Sequence, residues 1–433
     1  MIRRLFFLLS MAVLLLSACS DNDSFSSDSS YRLTFTKDTL LLDTLFTTVP
    51  SSTYTFWVYN NSSDGIRITT TRLERGNQSG FRVNVDGTFL NPAASDLEVR
   101  KGDSIRVFVE LTAHENMSAS PKLVEDNLLF SLESGVEQRV NLRAVTWDAT
   151  KMPDLIVTKD MTIDTSIPLI LYGKGIQVNE NATLTIKNTV LFFHDGAGIK
   201  VNGKLVAEGC LFRGDRLDRM FPYLPYDRVS GQWKGLTIAA KAKGCEMKDS
   251  EIHSCDTGLS CDSTTVILNN VVIHNCNGYG LYAHDSDVTI SQCQMTNTLN
   301  DCLLLAGCKA TVDKTTLAQF YPLSAERGAA FRFKHTEKPL ELSCTNTLVT
   351  GYADDVVMGE GHDGKDVFLL FDNNLLRTPA VDDANAFKNM IWEKKTDAIQ
   401  GSQHFKNIDA DNLYYDFHIK EESPAYARGI GRQ

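Results

Sequence analysis

The sequence predicts an all-β protein in two parts, a β-sandwich followed by a solenoid of stacked β-coils. Residues 31–147 hold short runs of alternating apolar and polar residues separated by turn-forming clusters. Residues 245–320 repeat at offsets of 21, 22 and 22 residues. Neither stretch carries the 3.6-residue apolar period that a helix needs. Both parts follow a short N-terminal leader.

The leader has a basic start at Arg3 and Arg4 and an apolar run from Leu5 to Leu16. That run is about twelve residues, long enough for a secretory signal and short for a bilayer-spanning helix. It ends in Leu16-Ser17-Ala18-Cys19, which resembles the lipobox of bacterial lipoproteins. The resemblance implies cleavage of a signal peptide, residues 1–18, and a diacylglycerol on the Cys19 sulfur. About two or three buried acyl chains give stable anchoring where one is marginal. Residues 19–30 then read as a flexible linker, rich in Ser, Asp and Asn and without material to bury. Within it, Ser20-Asp21-Asn22-Asp23-Ser24 resembles the acidic export signal of surface lipoproteins of the Bacteroides group, with Asn22 interrupting the acidic run. That implies an outer-membrane protein, lipid-anchored and exposed at the cell surface.

About 415 residues remain after cleavage, too many for one ordinary core. The net charge of −11, without a Lys/Arg cluster, argues against nucleic acid as a partner. Of ten cysteines, the nine besides Cys19 lie between Cys210 and Cys344. An odd set crowded into one region is not the framework of a disulfide-stapled domain and reads as packed thiols. No cofactor is expected.

Residues 31–147 contain strands such as Tyr54–Tyr59, Phe81–Val85 and Ser104–Val109, with Asn60–Gly65 and Asp86-Gly87 supplying turns. Strands of this length and spacing predict a sandwich of about seven strands. The pattern resembles the immunoglobulin-like spacer domains of bacterial surface proteins, without an intersheet cysteine pair.

Residues 148–433 change character. Row by row, Cys245–Cys255 aligns with Val266–Cys276, then with Val288–Thr298 and Ala310–Phe320. Each of the first three rows is apolar at positions one, three and eight: Cys245, Met247, Ile252; Val266, Leu268, Ile273; Val288, Ile290, Met295. One row cannot bury such a face, whereas rows stacked at the ~4.8 Å interstrand spacing build a continuous core. Gly-Leu recurs between rows at 235–236, 258–259 and 280–281. Further coils fit around Leu184-Thr185-Ile186, Leu205-Val206-Ala207, Leu340-Glu341-Leu342 and Phe368-Leu369-Leu370. The repeat resembles the right-handed parallel β-helix, the pectate-lyase-like fold. Gly231–Leu236, with its Trp233-Lys234-Gly235-Leu236, resembles a coil entry in β-helix lipoproteins of the Bacteroides group, and Asp416–Ile419 with Ser423-Pro424-Ala425 and Gly429 resembles their closing segment.

Three constellations could carry chemistry. Asp354-Asp355 and His362 resemble the paired aspartates and histidine of polygalacturonase-type glycosidases, where one carboxyl protonates the leaving oxygen and another activates water. Here they lie within a third of a coil and the other elements of that family are missing, so a polar loop is the alternative. No Asp ladder with a basic partner on the next coil marks a lyase; Asp249, Asn270, Gln292 and Lys314 align as a turn ladder. His253, Cys255, His274 and Cys276 stack on adjacent coils and nominally supply two nitrogens and two sulfurs for zinc. The competing readings are packed thiols and a disulfide between the stacked cysteines, which their parallel side-chain vectors oppose, and no metal is expected. Finally, residues 213–233 form an insertion with Phe221, Tyr223, Tyr226 and Trp233 among arginines. Exposed aromatic faces stack on sugar rings or pack on protein, and buried ones simply cap the coil.

The expectation is a non-catalytic surface lipoprotein that presents its β-helix to a polysaccharide or a protein partner. The alternative is a polysaccharide lyase or glycoside hydrolase acting on the β-helix flank.

Overall fold

The computed structural model describes residues 24–118, 120–221 and 223–432. The signal peptide, Cys19 and most of the acidic stretch lie outside the described residues. The chain divides into two units, with the division between Trp147 and Asp148.

The first unit is a sandwich of two five-stranded sheets. One sheet runs in the order Leu33–Phe35, Tyr54–Asn60, Ser104–Leu111, Phe81–Val85, Thr88–Phe89. The other runs Thr39–Phe46, Glu137–Trp147, Lys122–Leu132, Ile66–Leu73, Ala93–Val99. Period-two burial fixes the register: Val83 and Val85 face Val107 and Val109 in a shared core, while Arg82 and Arg106 point outward. Ten strands replace the roughly seven expected, because three edge segments, the very short 33–35 and 88–89 and the longer 93–99, pair as well. Pairing is antiparallel except between Thr39–Phe46 and Glu137–Trp147, which run parallel.

The second unit is a parallel β-helix. Its strands, from Thr150–Val157 to Ile391–Trp392, form one wound 26-stranded sheet. The register follows the sequence repeat: Cys245 pairs with Val266, Val266 with Val288, and Val288 with Ala310. Leu184, Leu205 and Cys245 extend that column upstream, and Leu342 and Leu369 extend it downstream. All nine apolar residues of the repeat are buried in a single core with Phe193, Phe212, Phe333 and Phe371. Eight further cysteines with Cys245 are free and buried along this interior. Burial pushes Cys302 and Cys344 up to about 12, which leaves them as packing groups rather than nucleophiles.

Two features of the repeat have local causes. The Gly-Leu recurrence marks places where successive coils approach closely. A Cβ on Gly235 would lie 1.6 Å from Thr257 O, and one on Gly258 would lie 2.5 Å from Gly280 O. The polar ladder is a bend made of left-handed residues: Asp249, Asn270, Gln292 and Lys314 have φ of 48°, 52°, 55° and 45°. Asn270 Nδ2 donates to Asp249 Oδ1 at 2.7 Å, so the short side chains bridge successive coils.

The wall after this bend carries the candidate site. Its outward side is partly covered by the C-terminal segment, in which Phe405–Asp409 and Tyr414–Ile419 form an antiparallel hairpin. Phe405, Phe417, Ile419, Ala425 and Ile430 pack on Ala318, Phe320 and Leu348 as a second, smaller core. Ser423 caps the short Pro424–Ala427 helix by accepting from Ala425 N–H.

Candidate functional site

The insertion enters after the strand Leu211–Gly214 and leaves before Gly235–Ile238. It contains a two-stranded hairpin, Arg219–Phe221 with Leu224–Pro225, and a 3₁₀ turn, Tyr226–Arg228. Its base is fastened to the wall. Arg213 pairs with Asp227 at 2.7 Å, and Arg216 forks onto Asp218 at 2.8 and 2.6 Å. Ser254 Oγ donates to Asp227 O at 2.9 Å, and Asn275 Nδ2 donates to Arg228 O at 2.8 Å. Ser230 and Tyr321 share a hydroxyl hydrogen bond of 2.7 Å.

The four aromatics proposed for binding separate into two groups. Phe221 and Tyr223 are 50% and 63% exposed, and their rings stack at 5.7 Å with planes 12° apart. Tyr226 is half-buried beneath the Arg216 guanidinium, 4.2 Å above its ring. Trp233 corrects the sequence expectation: it is 1% exposed and belongs to the interior. It stacks on Phe193 at 4.3 Å, and its Nε1–H donates to His253 O at 2.8 Å. A residue that re-enters the coil beside the close-approach Gly235 turns its side chain inward, where indole fills the width of the core.

Below the insertion lie His253 and His274. Alternation along the strand Gly244–His253 sends Ile252 into the core and Glu251 and His253 outward, and register brings His274 beside His253. Their rings stack at 4.8 Å, 11° apart. The chain then turns through left-handed Ser254 (φ 62°) and Asn275 (φ 52°), whose side chains return to the Nδ1 atoms. His253 Nδ1 is 2.8 Å from Ser254 Oγ, and His274 Nδ1 is 2.6 Å from Asn275 Oδ1. Because Ser254 gives its hydroxyl proton to Asp227 O and Asn275 gives its amide protons to Arg228 O, both side-chain oxygens act as acceptors here. Both Nδ1 atoms therefore donate, and both Nε2 atoms face outward.

Glu251 sits against those Nε2 atoms. His274 Nε2 is 2.9 Å from Glu251 Oε1, with a proton between them. Burial alone would raise the carboxyl, but the hydrogen bond and charge of His274 outweigh it and hold Glu251 at about 2. Burial, with the charges of His274 and Arg213, drives His253 well below its ordinary value. Its Nε2 carries a lone pair facing Glu251 Oε1 at 3.9 Å and Asp227 Oδ1 at 3.8 Å.

The two-histidine, two-cysteine grouping does not assemble. Cys255 and Cys276 point into the core, both 0% exposed, with sulfurs 3.5 Å apart, well beyond the ~2.05 Å of a disulfide. The group that converges is Glu251, His253 and His274, with ligand atoms within 4.8 Å of one another. Glu251 and Asp227 were missed in the sequence, although Glu251-x-His253 at strand spacing is a signal for two groups on one face.

Asp354, Asp355 and His362 likewise keep separate company. Asp354 pairs with Arg377 at 3.2 Å and Lys395 at 3.4 Å. Asp355 Oδ1 accepts from Val357 N–H at 3.1 Å. His362 Nδ1 accepts from Leu369 N–H at 3.1 Å and meets the Phe368 ring edge-on at 6.4 Å. Among the described residues no hydrogen bond or ion pair joins either aspartate to His362. Asp354 is thus an ion-pair partner of two cations rather than a partner of Asp355 or His362. His362 lines a different feature, an open groove of about 490 Å³ with Lys309, Glu341, Phe368 and Leu370.

Comparison with known proteins agrees with the second unit. No curated protein matches the chain. Similar solved structures include a thermostable GH87 alpha-1,3-glucanase from Streptomyces thermodiastaticus, 9% identical over 78% of this chain and 89% of that chain, TM-score 0.27. A family 123 glycoside hydrolase from Clostridium perfringens is 8% identical over 27% of this chain and 26% of that chain, TM-score 0.19. A chaperone–tip adhesion subunit complex of Csu pili from Acinetobacter baumannii is 14% identical over 26% of this chain and 51% of that chain, TM-score 0.15. The chain thus spans about a quarter of the Clostridium protein and half of the pilus protein. Likeness this slight carries no argument about activity. The family model of the right handed beta helix region matches residues 156–317, so this stretch is similar to that family in sequence as well as in its observed parallel register.

Proposed function

We propose that this protein is a lipid-anchored lipoprotein of the outer cell surface that binds glycan without cleaving it. The exposed, stacked Phe221–Tyr223 pair at the tip of the insertion carries this reading. Two nearly parallel ring faces, held on a fastened hairpin, match the apolar faces of consecutive sugar rings, and their rigidity lowers the ordering cost of binding. The Leu16-Ser17-Ala18-Cys19 sequence supports the anchor, and the acidic stretch after it supports surface exposure of the kind found in Bacteroides-group lipoproteins. The sandwich, immunoglobulin-like in its strand pattern, follows the anchor in the chain and serves as a spacer before the β-helix. The separate neighbours of Asp354, Asp355 and His362 favour binding over turnover.

The test is a screen of neutral and acidic polysaccharides with the chain from Ser20 onward, which keeps both folded units. Retardation in affinity electrophoresis with no new reducing ends or unsaturated products is the expected result. Product formation that is lost in Asp355→Ala would overturn the reading and restore the enzyme alternative.

A further inference from the structure

We propose that Glu251, His253 and His274 form a binding site for a divalent first-row metal ion of the zinc class, with Asp227 of the insertion as the fourth ligand. The proposal stands independently of glycan binding. Two imidazoles and carboxylate oxygens are the donor set that such ions prefer over Mg²⁺ or Ca²⁺.

Three observations carry it. First, the Nε2 atoms are presented outward by their own strand register, and each Nδ1–H is held by a fixed oxygen, Ser254 Oγ or Asn275 Oδ1. This outer hydrogen bond is the arrangement that sets the tautomer and ring angle of metal-binding histidines. Second, His253 Nε2 faces two carboxylate oxygens, Asp227 Oδ1 at 3.8 Å and Glu251 Oε1 at 3.9 Å, separations too long for a hydrogen bond and wide enough to admit an ion among the three atoms. Third, the site is reachable: both histidine side chains are nearly buried, but the Glu251 side chain is 46% exposed and Asp227 is 39% exposed.

The geometry needs a contraction of about 1 Å. Ligands bound tetrahedrally at about 2.0–2.2 Å lie about 3.3–3.6 Å apart; the three donors on the wall now lie within 4.8 Å of one another, and Asp227 Oδ1 is 3.8 Å from His253 Nε2. Rotation of the exposed Glu251 supplies that closure. The ion takes the place of the proton between His274 Nε2 and Glu251 Oε1, which is released to solvent, and adds the His253 lone pair as a new bond. Arg213 already pairs with Asp227 and lowers the site's affinity for a cation without blocking the remaining carboxylate lone pairs.

Asp227 gives the ion a structural consequence. It lies in the turn Tyr226–Arg228 just after the Phe221–Tyr223 hairpin, whereas the other three ligands lie on the wall of the coil. A bound ion therefore staples the insertion to the β-helix.

The test titrates the chain from Ser20 with Zn²⁺ by calorimetry and with Co²⁺ by visible absorption. One equivalent is expected, with a Co²⁺ spectrum of a low-coordinate N/O site lacking a thiolate charge-transfer band. His274→Ala and the exposed Glu251→Gln should abolish that equivalent. Asn275→Ala and Ser254→Ala leave all four ligands in place and should weaken binding about 10–100-fold. Zn²⁺ should also slow trypsin cleavage within residues 216–228, and Asp227→Asn should remove that protection. Binding that survives both His274→Ala and Glu251→Gln, or that is lost in Cys255→Ser, would overturn the proposal, as would the absence of a stoichiometric site. Glu251→Gln carries the test if His274→Ala fails to fold.

Discussion

Trp233 gives the sharpest test of how the insertion is built. In the structure it is a core residue, 1% exposed, stacked on Phe193 at 4.3 Å and hydrogen-bonded to His253 O at 2.8 Å. Trp233→Ala therefore opens a cavity in the coil that rigid neighbouring strands cannot close, at a cost of about 3–5 kcal/mol. Losing the indole N–H adds about 1 kcal/mol, because the His253 carbonyl loses a partner in a dry interior. Trp233→Phe keeps a ring against Phe193 and should lose only about 1–2 kcal/mol. The assay is a urea titration followed by circular dichroism, resolved into the transitions of the two units, since a two-unit chain has no single unfolding free energy. The expected result is a large downward shift of the β-helix transition with the sandwich transition unmoved. A Trp233→Ala chain whose β-helix transition is unchanged, but which no longer binds glycan, would refute the interior placement and return Trp233 to the binding surface.

Other perturbations act on the close-packed coils and the buried ion pairs. Gly235→Ala should cost about 3 kcal/mol or more, read as a lowered β-helix melting transition, because its Cβ would sit 1.6 Å from Thr257 O in a backbone of φ +85°. Gln292→Val should cost about 1–2 kcal/mol at the left-handed bend (φ 55°), whereas Gln292→Gly should stay within about 1 kcal/mol of the parent in the same melt. Glu393, buried against Arg377 and His404, tests pH dependence. Burial raises its carboxyl, but the hydrogen bond and charge of His404, with hydrogen bonds from Arg377 and Gly401, outweigh burial and lower it overall. Its native value is thus below its unfolded one, so it contributes stability above about pH 4.3 that is lost as pH falls through the native value. Glu393→Gln should flatten that acid loss in a series of melts from pH 6 downward, though it lowers stability by about 3 kcal/mol or more at neutral pH by stranding Arg377 (roughly the cost of breaking a buried pair).

Much of this architecture was legible in the residues. The rows starting at Cys245, Val266, Val288 and Ala310 announce their own register, because a period of 21–22 residues with apolar positions one, three and eight has only one way to bury itself. The Gly-Leu recurrence was visible as a pattern, whereas its cause, carbonyls of the next coil within 3 Å of an added Cβ, arises only when the coils are stacked. The short strands 33–35 and 88–89 were not read, since two or three residues are too few to show alternation.

The site was harder to read for a physical reason. Outward positions on a parallel coil are ordinarily solvated, and here one wall is roofed by the insertion and the C-terminal hairpin, so His253 and His274 are buried polar residues rather than surface ones. Which of Phe221, Tyr223, Tyr226 and Trp233 face water depends on that roof, and composition gave all four the same standing. Cys255 and Cys276 follow the histidines at two residues' distance, but the left-handed Ser254 and Asn275 reverse the alternation between them. That bend sends the thiols inward and leaves Glu251 to complete the histidine pair.

Glycan binding depends most directly on the stacked rings at the tip of the insertion. Two ring faces contribute about 1–3 kcal/mol together, or about 5–150-fold in affinity. Calorimetric titration of a bound polysaccharide with the parent chain and with Phe221→Ala/Tyr223→Ala measures this directly, with thermal melts as the control for folding. The expected result is a loss within that range, unchanged melting, and intact polysaccharide recovered after the titration. Parent-like affinity in the folded double variant, or shortened polysaccharide recovered from the calorimeter cell, would rule out non-cleaving glycan binding by these rings.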